Sequence, residues 1–591
     1  MFNVPIYKHN KIVYNNLKSM YGKPIRIQTR HTNIQEGKRM KNLHFRKLLC
    51  LAMALVLAGS MLAGCGSGAS SGSSSIPNNP ASGGDSQSGG SQASGGQGTP
   101  AKDSLNVVTY ADPVGVYPLH SDYSADKTRD GVFFQQVYDT LFRIDESGNP
   151  TPWLATDYEV SEDGLEWTFT LRDDVTFHNG KKMTAEDVVF SWETAVAENT
   201  PAATSMLNGL ASGEVIDDTH CKAVLSHVSP AFLNMLCTQM GVIISKDYYE
   251  EVGGAAGYAA HPIGTGAYKF VSRTSGEKIV LEANEDYWAG APAIKNVTIT
   301  IIGNISTQFI SLESGDADVV INADLASCTR LPENSIATWD NTDSTTRTLV
   351  AFGWAKDYIR EDLNLRMAIQ SAIRKEDLLA GVLYGYGKIL DIDVVTGFPT
   401  SPEAGSYTVI PYDQEAAKKY LADSNYDGRT LEMYVISGST CEKAAQIIQG
   451  HLAEVGITAS VVPCDNATFT AAQRAATADA SADMIIYDNT NVWFDFCNPG
   501  ASYNPDMEKT YKPELYFKDY AVLKDYYAKI ATEQDPAARK QLMADLMSFG
   551  VENAYQLPLY AGVNAVAYNK NLQGVSASPV ADFYIHKMSW S

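Results

Sequence analysis

Residues 66–104 hold almost nothing that a fold could bury. The stretch begins GSGASSGSSS and continues in Gly, Ser, Asn, Gln, Ala and Pro. Such a composition cannot repay the entropy of ordering and stays a coil. Any globular body must therefore be built from about Leu105 onward. The 39 residues of coil reach about 35 Å, at roughly 5–6 Å times the square root of length.

The segment before the coil explains why a tether is needed. MKNLHFRKLLCLAMALVLAGSMLAGC (Met40–Cys65) opens on Lys41, Arg46 and Lys47 and runs apolar from Leu48 to Ala58. That run is shorter than the roughly 20 residues a bilayer span requires, so it reads as a secretory signal. Leu62-Ala63-Gly64-Cys65 resembles the lipobox of bacterial lipoproteins, whose cysteine is lipidated and becomes the first residue after cleavage. The expectation is a lipoprotein signal peptide over 40–65, a lipidated Cys65 and a flexible linker over 66–104. The body is then held at the outer face of the cytoplasmic membrane, or facing the periplasm in a diderm cell. Residues 1–39 fit none of this. Met40 is the expected start, and the first 39 residues are set aside as an upstream translation artefact.

Residues 1–65 carry 11 Lys or Arg and one Asp or Glu, leaving 35 basic and 67 acidic residues and a formal charge of −32. That balance excludes nucleic acid and an anionic lipid surface as partners, leaving the lipid anchor as the only membrane contact. About 490 residues exceed what one core usually supports, so two or three lobes are expected. Six cysteines follow Cys65: Cys221, Cys237, Cys328, Cys441, Cys464 and Cys497. Export permits disulfides, and Cys221–Cys237 is one local possibility, but sequence assigns none. No CxxC or His spacing forms a metal cage. HExxH, a P-loop and, outside the linker, GxSxG are all missing, so no catalytic residue, metal or cofactor is expected.

Hydrophobic periodicity describes a mixed α/β chain. LNVVTY (Leu105–Tyr110) reads as a strand, as does Glu166–Leu171. GVFFQQVYDTLFRI places Phe133, Val137 and Leu141 on one helical face, with Gln135, Gln136 and Asp139 off it. A turn at Asn179-Gly180 leads to a helix capped by Thr184, with Asp187 at the capping-box position. Leu365, Ala368, Ile369, Ala372 and Ile373 share one face of another helix. YDQEAAKKYLADS, AAQIIQGHLAEVG and AARKQLMADLMSFGVE read as amphipathic helices, and ITASVVP and ADMIIYD as buried strands. Gly180 and Gly264-Thr265-Gly266 mark expected turns. Alternation over more than two hundred residues points to α/β lobes.

DGLEWTFTLRDDVTFHNGKKMTAEDVVFSW (Asp163–Trp192) resembles the signature of the family 5 bacterial extracellular solute-binding proteins, the oligopeptide-, dipeptide- and nickel-binding components of ABC importers. HPIGTGAYKF, EANEDYWAGAP, SLESGDADVV, DLNLRMAIQSAIRK, HLAEVGITA and QLPLYAGVNAVAYNKNLQGV follow in the family's order. The resemblance implies a periplasmic-binding-protein-like class II fold, with two mixed-sheet lobes around a hinged cleft plus an extra lobe. Lobe I is expected from 105–138, 262–348 and 556–591, lobe II from 139–261 and lobe III from 349–555. It also implies a monomer that captures peptides by closing lobes I and III and delivers them to a membrane permease. A nickel chelate, haem or an oligosaccharide are alternatives on the same fold. A surface receptor or a hydrolase are alternatives of another class.

NVWFDFCNPG (Asn491–Gly500) resembles the family block W-x-x-D-x-x-x-P, in which the Asp binds a peptide's α-ammonium. Asp495 and Pro499 keep the spacing, while Trp493 stands one place closer than usual. A carboxylate beside Trp493, Phe494 and Phe496 suits an ammonium through a charge-assisted bond and cation–π attraction. RTLVAFGWAKDY (Arg347–Tyr358) aligns with the hinge-proximal strand, along whose edge peptides bind by main-chain hydrogen bonds. The family usually carries Asn where this chain has Gly353. Trp354 is a candidate to stack on ligand or to fill core. Arg347 is a candidate to receive a carboxylate or to ion-pair internally. Tyr110, Tyr117 and Tyr123 are candidates for the lobe I wall.

Overall fold

The computed structural model describes residues 102–119, 127–198, 209–238, 241–354, 356–474, 482–491, 495 and 519–591. Cys65, Tyr123, Trp493, Phe494 and Cys497 lie outside the described residues, as do the signal segment and most of the coil. Strand β1 (Ser104–Thr109) is followed by the short hairpin of β2 (Phe142–Ile144) and β3 (Pro150–Pro152). Strands β4 (Ala155–Val160), β5 (Glu166–Leu171), β6 (Leu210–Asp217) and β7 (His220–Leu225) form a separate sheet in the order β4-β5-β7-β6.

The principal sheet joins β1 to ten later strands. These are β8 (Tyr268–Thr274), β9 (Lys278–Ala283), β10 (Asn296–Ile301), β11 (Val319–Val320), β12 (Ala337–Phe352), β13 (Lys388–Ile389), β14 (Leu431–Ile436), β15 (Ala459–Cys464), β16 (Met484–Thr490) and β17 (Gln556–Asn569). Its order is β15-β14-β16-β12-β17-β11-β1-β10-β9-β8, with β13 also on β17. Parallel pairs (β1 with β10 and β11, β14 with β15 and β16) stand beside antiparallel ones, so the sheet is mixed.

Two of these strands are unusually long, and they set the architecture. The first half of β12 runs from Ala337 to Asp343 against β17, near the β1 and β11 end. Its second half, Thr346 to Phe352, is flanked by β16 as well as β17. Between the halves the register slips: Asp343 faces Val563 and Arg347 faces Ala561, so Ser344, Thr345 and Thr346 oppose Gly562 alone. A bulge of this kind bends a strand and raises its twist. One hydrophobic core (Leu105 to Ile321, closed by Val566 to Met588) lies on the β1 side of the bulge, and another (Val350 to Tyr560) lies on the β14–β16 side. We call these the amino-terminal and the carboxy-proximal bodies.

Helix α1 (Lys127–Val137) and α2 (Ala185–Ala197) belong to the amino-terminal body; α3 (Leu363–Ala372), α4 (Thr440–Val455), α5 (Tyr520–Thr532) and α6 (Pro536–Glu552) belong to the other. Asp187 caps α2 as its spacing suggests, with Oδ2 accepting from the Thr184 amide at 2.9 Å. Its Oδ1 also takes the Lys246 amide at 2.9 Å, which fastens the next segment.

Four local readings change. Helix α1 stops at Val137, short of Leu141, and Phe142 starts a strand. Gln136 and Asp139, which periodicity places off the apolar face, are buried. Their hydrogen bonds to Phe583, Ile585 and the groups around Asp139 satisfy them there. The glycines of Gly264-Thr265-Gly266 are not left-handed turn residues, as Gly180 is at φ +83°. They are needed because added Cβ atoms would stand 2.0 and 2.5 Å from the Val137 and Gln136 carbonyl oxygens. Helix α3 is buried around most of its girth from Leu365 to Ala372 rather than on one stripe.

Candidate functional site

Directly after α1 the chain turns Asp139 into the interior. Its Oδ1 accepts from Arg143 Nη2 at 2.7 Å, Trp153 Nε1 at 2.8 Å and Tyr287 OH at 3.2 Å. Its Oδ2 accepts from Trp288 Nε1 and Thr265 Oγ1, each at 3.1 Å. The Arg143 guanidinium lies over the rings of Trp153 and Tyr584, 3.7 and 4.2 Å from their centroids. Charge and aromatic faces together hold it rigidly.

A recess of about 50 Å³ opens beside this cation, lined by Gln135, Tyr138, Thr140, Arg143, Asp582 and Tyr584 among others. Arg143 Nη1 is buried there without a hydrogen-bond partner. The Asp582 carboxylate accepts from Gln135 Nε2 on the same wall. The recess thus offers a guanidinium donor and a carboxylate acceptor. It has room for a small polar group, not a whole solute. A second recess shares Asp582 and reaches Asn564, Ala565 and Val566 of β17, beside the bulge.

Across the bulge, the carboxy-proximal body presents a polar ladder. The period of two puts Thr346 and Thr348 of β12 on one sheet face with Thr490 and Asp488 of β16. Thr346 and Thr490 share a hydroxyl–hydroxyl bond of 2.9 Å. Thr348 Oγ1 donates to Asp488 Oδ1 at 2.6 Å. Cys441, in the first turn of α4, brings its Sγ within 3.5 Å of the same oxygen.

The residues singled out from sequence are distributed otherwise. Arg347, on the opposite face, is buried with Asp393: Nε stands 3.2 Å from Oδ1, and Nη1 donates to the Asp393 carbonyl at 3.1 Å. Burial pushes the Asp393 carboxyl up while the guanidinium pulls it back. Of the two roles open to Arg347, the internal ion pair is the one seen. Asp495 is 1 % exposed, and both of its oxygens accept from Arg539, at 2.9 and 2.8 Å. That differs from the expected carboxylate facing an ammonium, because a cation from α6 already holds it. Trp354 is half-buried between two apolar clusters, with Tyr555 5.6 Å away and the Arg366 guanidinium 4.9 Å from its ring.

Tyr117 is 2 % exposed among Tyr249 and Tyr258, a core position rather than a wall, whereas Tyr110 is 39 % exposed at the end of β1. The expected peptide-binding edge in Arg347–Tyr358 is also corrected over its strand: Arg347 to Ala351 have β16 on one side and β17 on the other, leaving no edge there for strand addition. Cys221 and Cys237 are not bonded to each other; Cys237 Sγ donates to the Leu233 carbonyl at 3.4 Å.

Arg143, Asp582, Asp488 and Thr490 were not singled out from sequence. One signal for Asp488 existed, an acidic residue closing the apolar run of ADMIIYD. Nothing local marked Asp582, which reaches the recess from far along the chain.

The profile of the Bacterial extracellular solute-binding proteins, family 5 Middle, matches residues 149–506. The chain belongs to this family. The nickel-binding periplasmic protein of Escherichia coli K12 is 25% identical over 498 residues, 80% of this chain and 92% of the relative. The glutathione-binding protein GsiB of Salmonella typhi is 24% identical over 475 residues, 78% and 90% of the two chains. Among solved structures, the ABC transporter substrate-binding protein CtaP of Listeria monocytogenes superposes with a TM-score of 0.73 at 22% identity, over 83% of this chain and 99% of that one. NikA of Brucella suis, in complex with Fe(III)-EDTA, gives 0.71 at 23% identity over 83% and 100%. These structures share the periplasmic-binding-protein fold expected from the sequence. The chain is thus a solute-binding protein of ABC transport, extracytoplasmic like its relatives, from a family of transport binders rather than enzymes.

Proposed function

We propose that this solute-binding protein captures short peptides between its two bodies and delivers them to an ABC permease while tethered by lipid at Cys65. The observation that carries the reading is the crossing. Among the described residues only β12 and β17 carry the chain between the two cores, through a bulged register at Ser344–Thr346. A solute that touches both bodies then biases their separation, and a permease can read that bias. The walls suit a zwitterion, with Arg143 and Asp582 at one recess and Asp488 on the ladder. The relative named for glutathione, a tripeptide, supports a peptide cargo. The relative named for nickel supports a metal chelate as the second reading.

The proposed chain needs no cofactor, acts as a monomer and leaves its cargo intact. Native mass spectrometry of the purified body, followed by calorimetry with di- to pentapeptides and with nickel chelates, tests the proposal. Retained or titrated peptide of unchanged mass is the expected result. Binding of chelates alone would transfer the assignment to the second reading. Cleaved peptide would make the protein a hydrolase.

A further inference from the structure

Asp488 differs from the other carboxylates near the crossing. Asp495 is held by Arg539 and Asp393 by Arg347, whereas Asp488 has only the Thr348 hydroxyl and the Cys441 thiol as hydrogen-bond partners and no cation among the described residues. It is open to solvent, yet enclosure by protein pushes its carboxyl above the ordinary range. It stands in the polar ladder of Thr346, Thr348 and Thr490, where a polar group of a solute can meet it. The position agrees. Asp488 lies near the carboxyl end of β16, which runs parallel to β14, and ligands of open α/β sheets gather outside such strand ends.

A third oxygen completes the row. Thr348 faces Asp488 on one side and Tyr560 on the other, so all three side chains share one face. The Tyr560 hydroxyl is buried and meets no partner at hydrogen-bonding geometry, although Thr348 stands beside it. A carboxylate and two hydroxyls match the three N–H donors of a primary ammonium. A guanidinium would instead call for a planar, bidentate partner.

We propose that Asp488, with Thr348 and Tyr560, forms the subsite that selects solutes bearing a primary ammonium. This deepens the peptide reading and rests on it for the identity of the cargo, but the chemistry of the subsite can be tested separately. Calorimetry with trialanine, N-acetyl-trialanine and 1,4-diaminobutane, on the intact body and on Asp488→Asn and Asp488→Glu, gives the test. The intact protein should bind trialanine at least tenfold more tightly than its acetylated form. Asp488→Asn should remove that preference while binding the acetylated peptide unchanged, and Asp488→Glu should keep part of it. If trialanine fails but the diamine binds and is lost in Asp488→Asn, the peptide reading falls and the subsite stands. A preference that survives Asp488→Asn, or failure of both ammonium probes on the intact protein, overturns the subsite.

Discussion

Two aspartates seven positions apart show what a residue's identity leaves undetermined. Asp495 occupies the family's spacing, yet Arg539 reaches it from 44 positions along the chain and takes both oxygens. Spacing in a loop says nothing of a cation on a distant helix, so sequence identified the carboxylate and missed its partner. Asp495→Ala should therefore act mainly on stability. Removing one partner of a buried ion pair costs about 3–5 kcal/mol, read as a lower urea midpoint. Unchanged stability with weakened peptide binding would restore the ammonium role.

His178 offers a second residue-scale test. Its Nδ1 accepts the Gly264 amide at 3.2 Å, and Nε2 lies 2.9 Å from the Gly266 carbonyl, an arrangement that needs the neutral ring. Burial lowers its pKa to about 4. The unfolded chain, near 6.5, takes up the proton first, so stability falls as pH drops from 6.5 to 4 and levels off below. The slope is about 1.4 kcal/mol per pH unit for one such group. Denaturation midpoints across that range should decline less steeply in His178→Gln. An equal slope in both proteins would remove His178 from the account.

Elements were more legible where the signal was local. The strand Glu166–Leu171 and the Asp187 cap follow from alternation and from a capping pattern, both contained within a few residues. The end of α1 was not legible, because tertiary partners for Gln136 and Asp139 override the apolar period. Gly353 shows the same limit. Its amide donates to the Asp483 carbonyl at 2.7 Å, and a Cβ there would stand 2.3 Å from the Ala482 carbonyl oxygen. The Asn usual in the family cannot fit unless β12 and β16 part. Gly353→Asn should cost about 1–3 kcal/mol through overpacking, visible as a lower melting temperature. A neutral substitution would mean that the backbone approach is looser than described.

For the whole molecule, the seven family blocks made the fold legible, whereas the manner in which the bodies meet depends on contacts no block encodes. Ile144, on β2 of the amino-terminal body, packs against a cluster containing Leu390, Ile392 and Val394 of the carboxy-proximal one, and Val580 joins the same cluster. Ala561 of β17 belongs to this cluster, but Ile144, Leu390, Ile392 and Val394 lie off both crossing strands, so separating the bodies can part them while β12 and β17 stay intact. Ile144 is half-buried, and replacing it with Ser removes about 1–2 kcal/mol of burial. A two-state equilibrium displaced by that amount changes roughly 5- to 30-fold. Ile144→Ser should therefore scatter as a more extended particle than the parent when empty, bind peptide more weakly, and return to the parent's compact radius once saturated. Ile144 makes no hydrogen bond to Asp488, whose partners are Thr348 and Cys441, so the ammonium preference should be unaltered. Identical curves for parent and variant, empty and loaded, would mean that this contact does not part and that solute capture works without relative motion of the bodies.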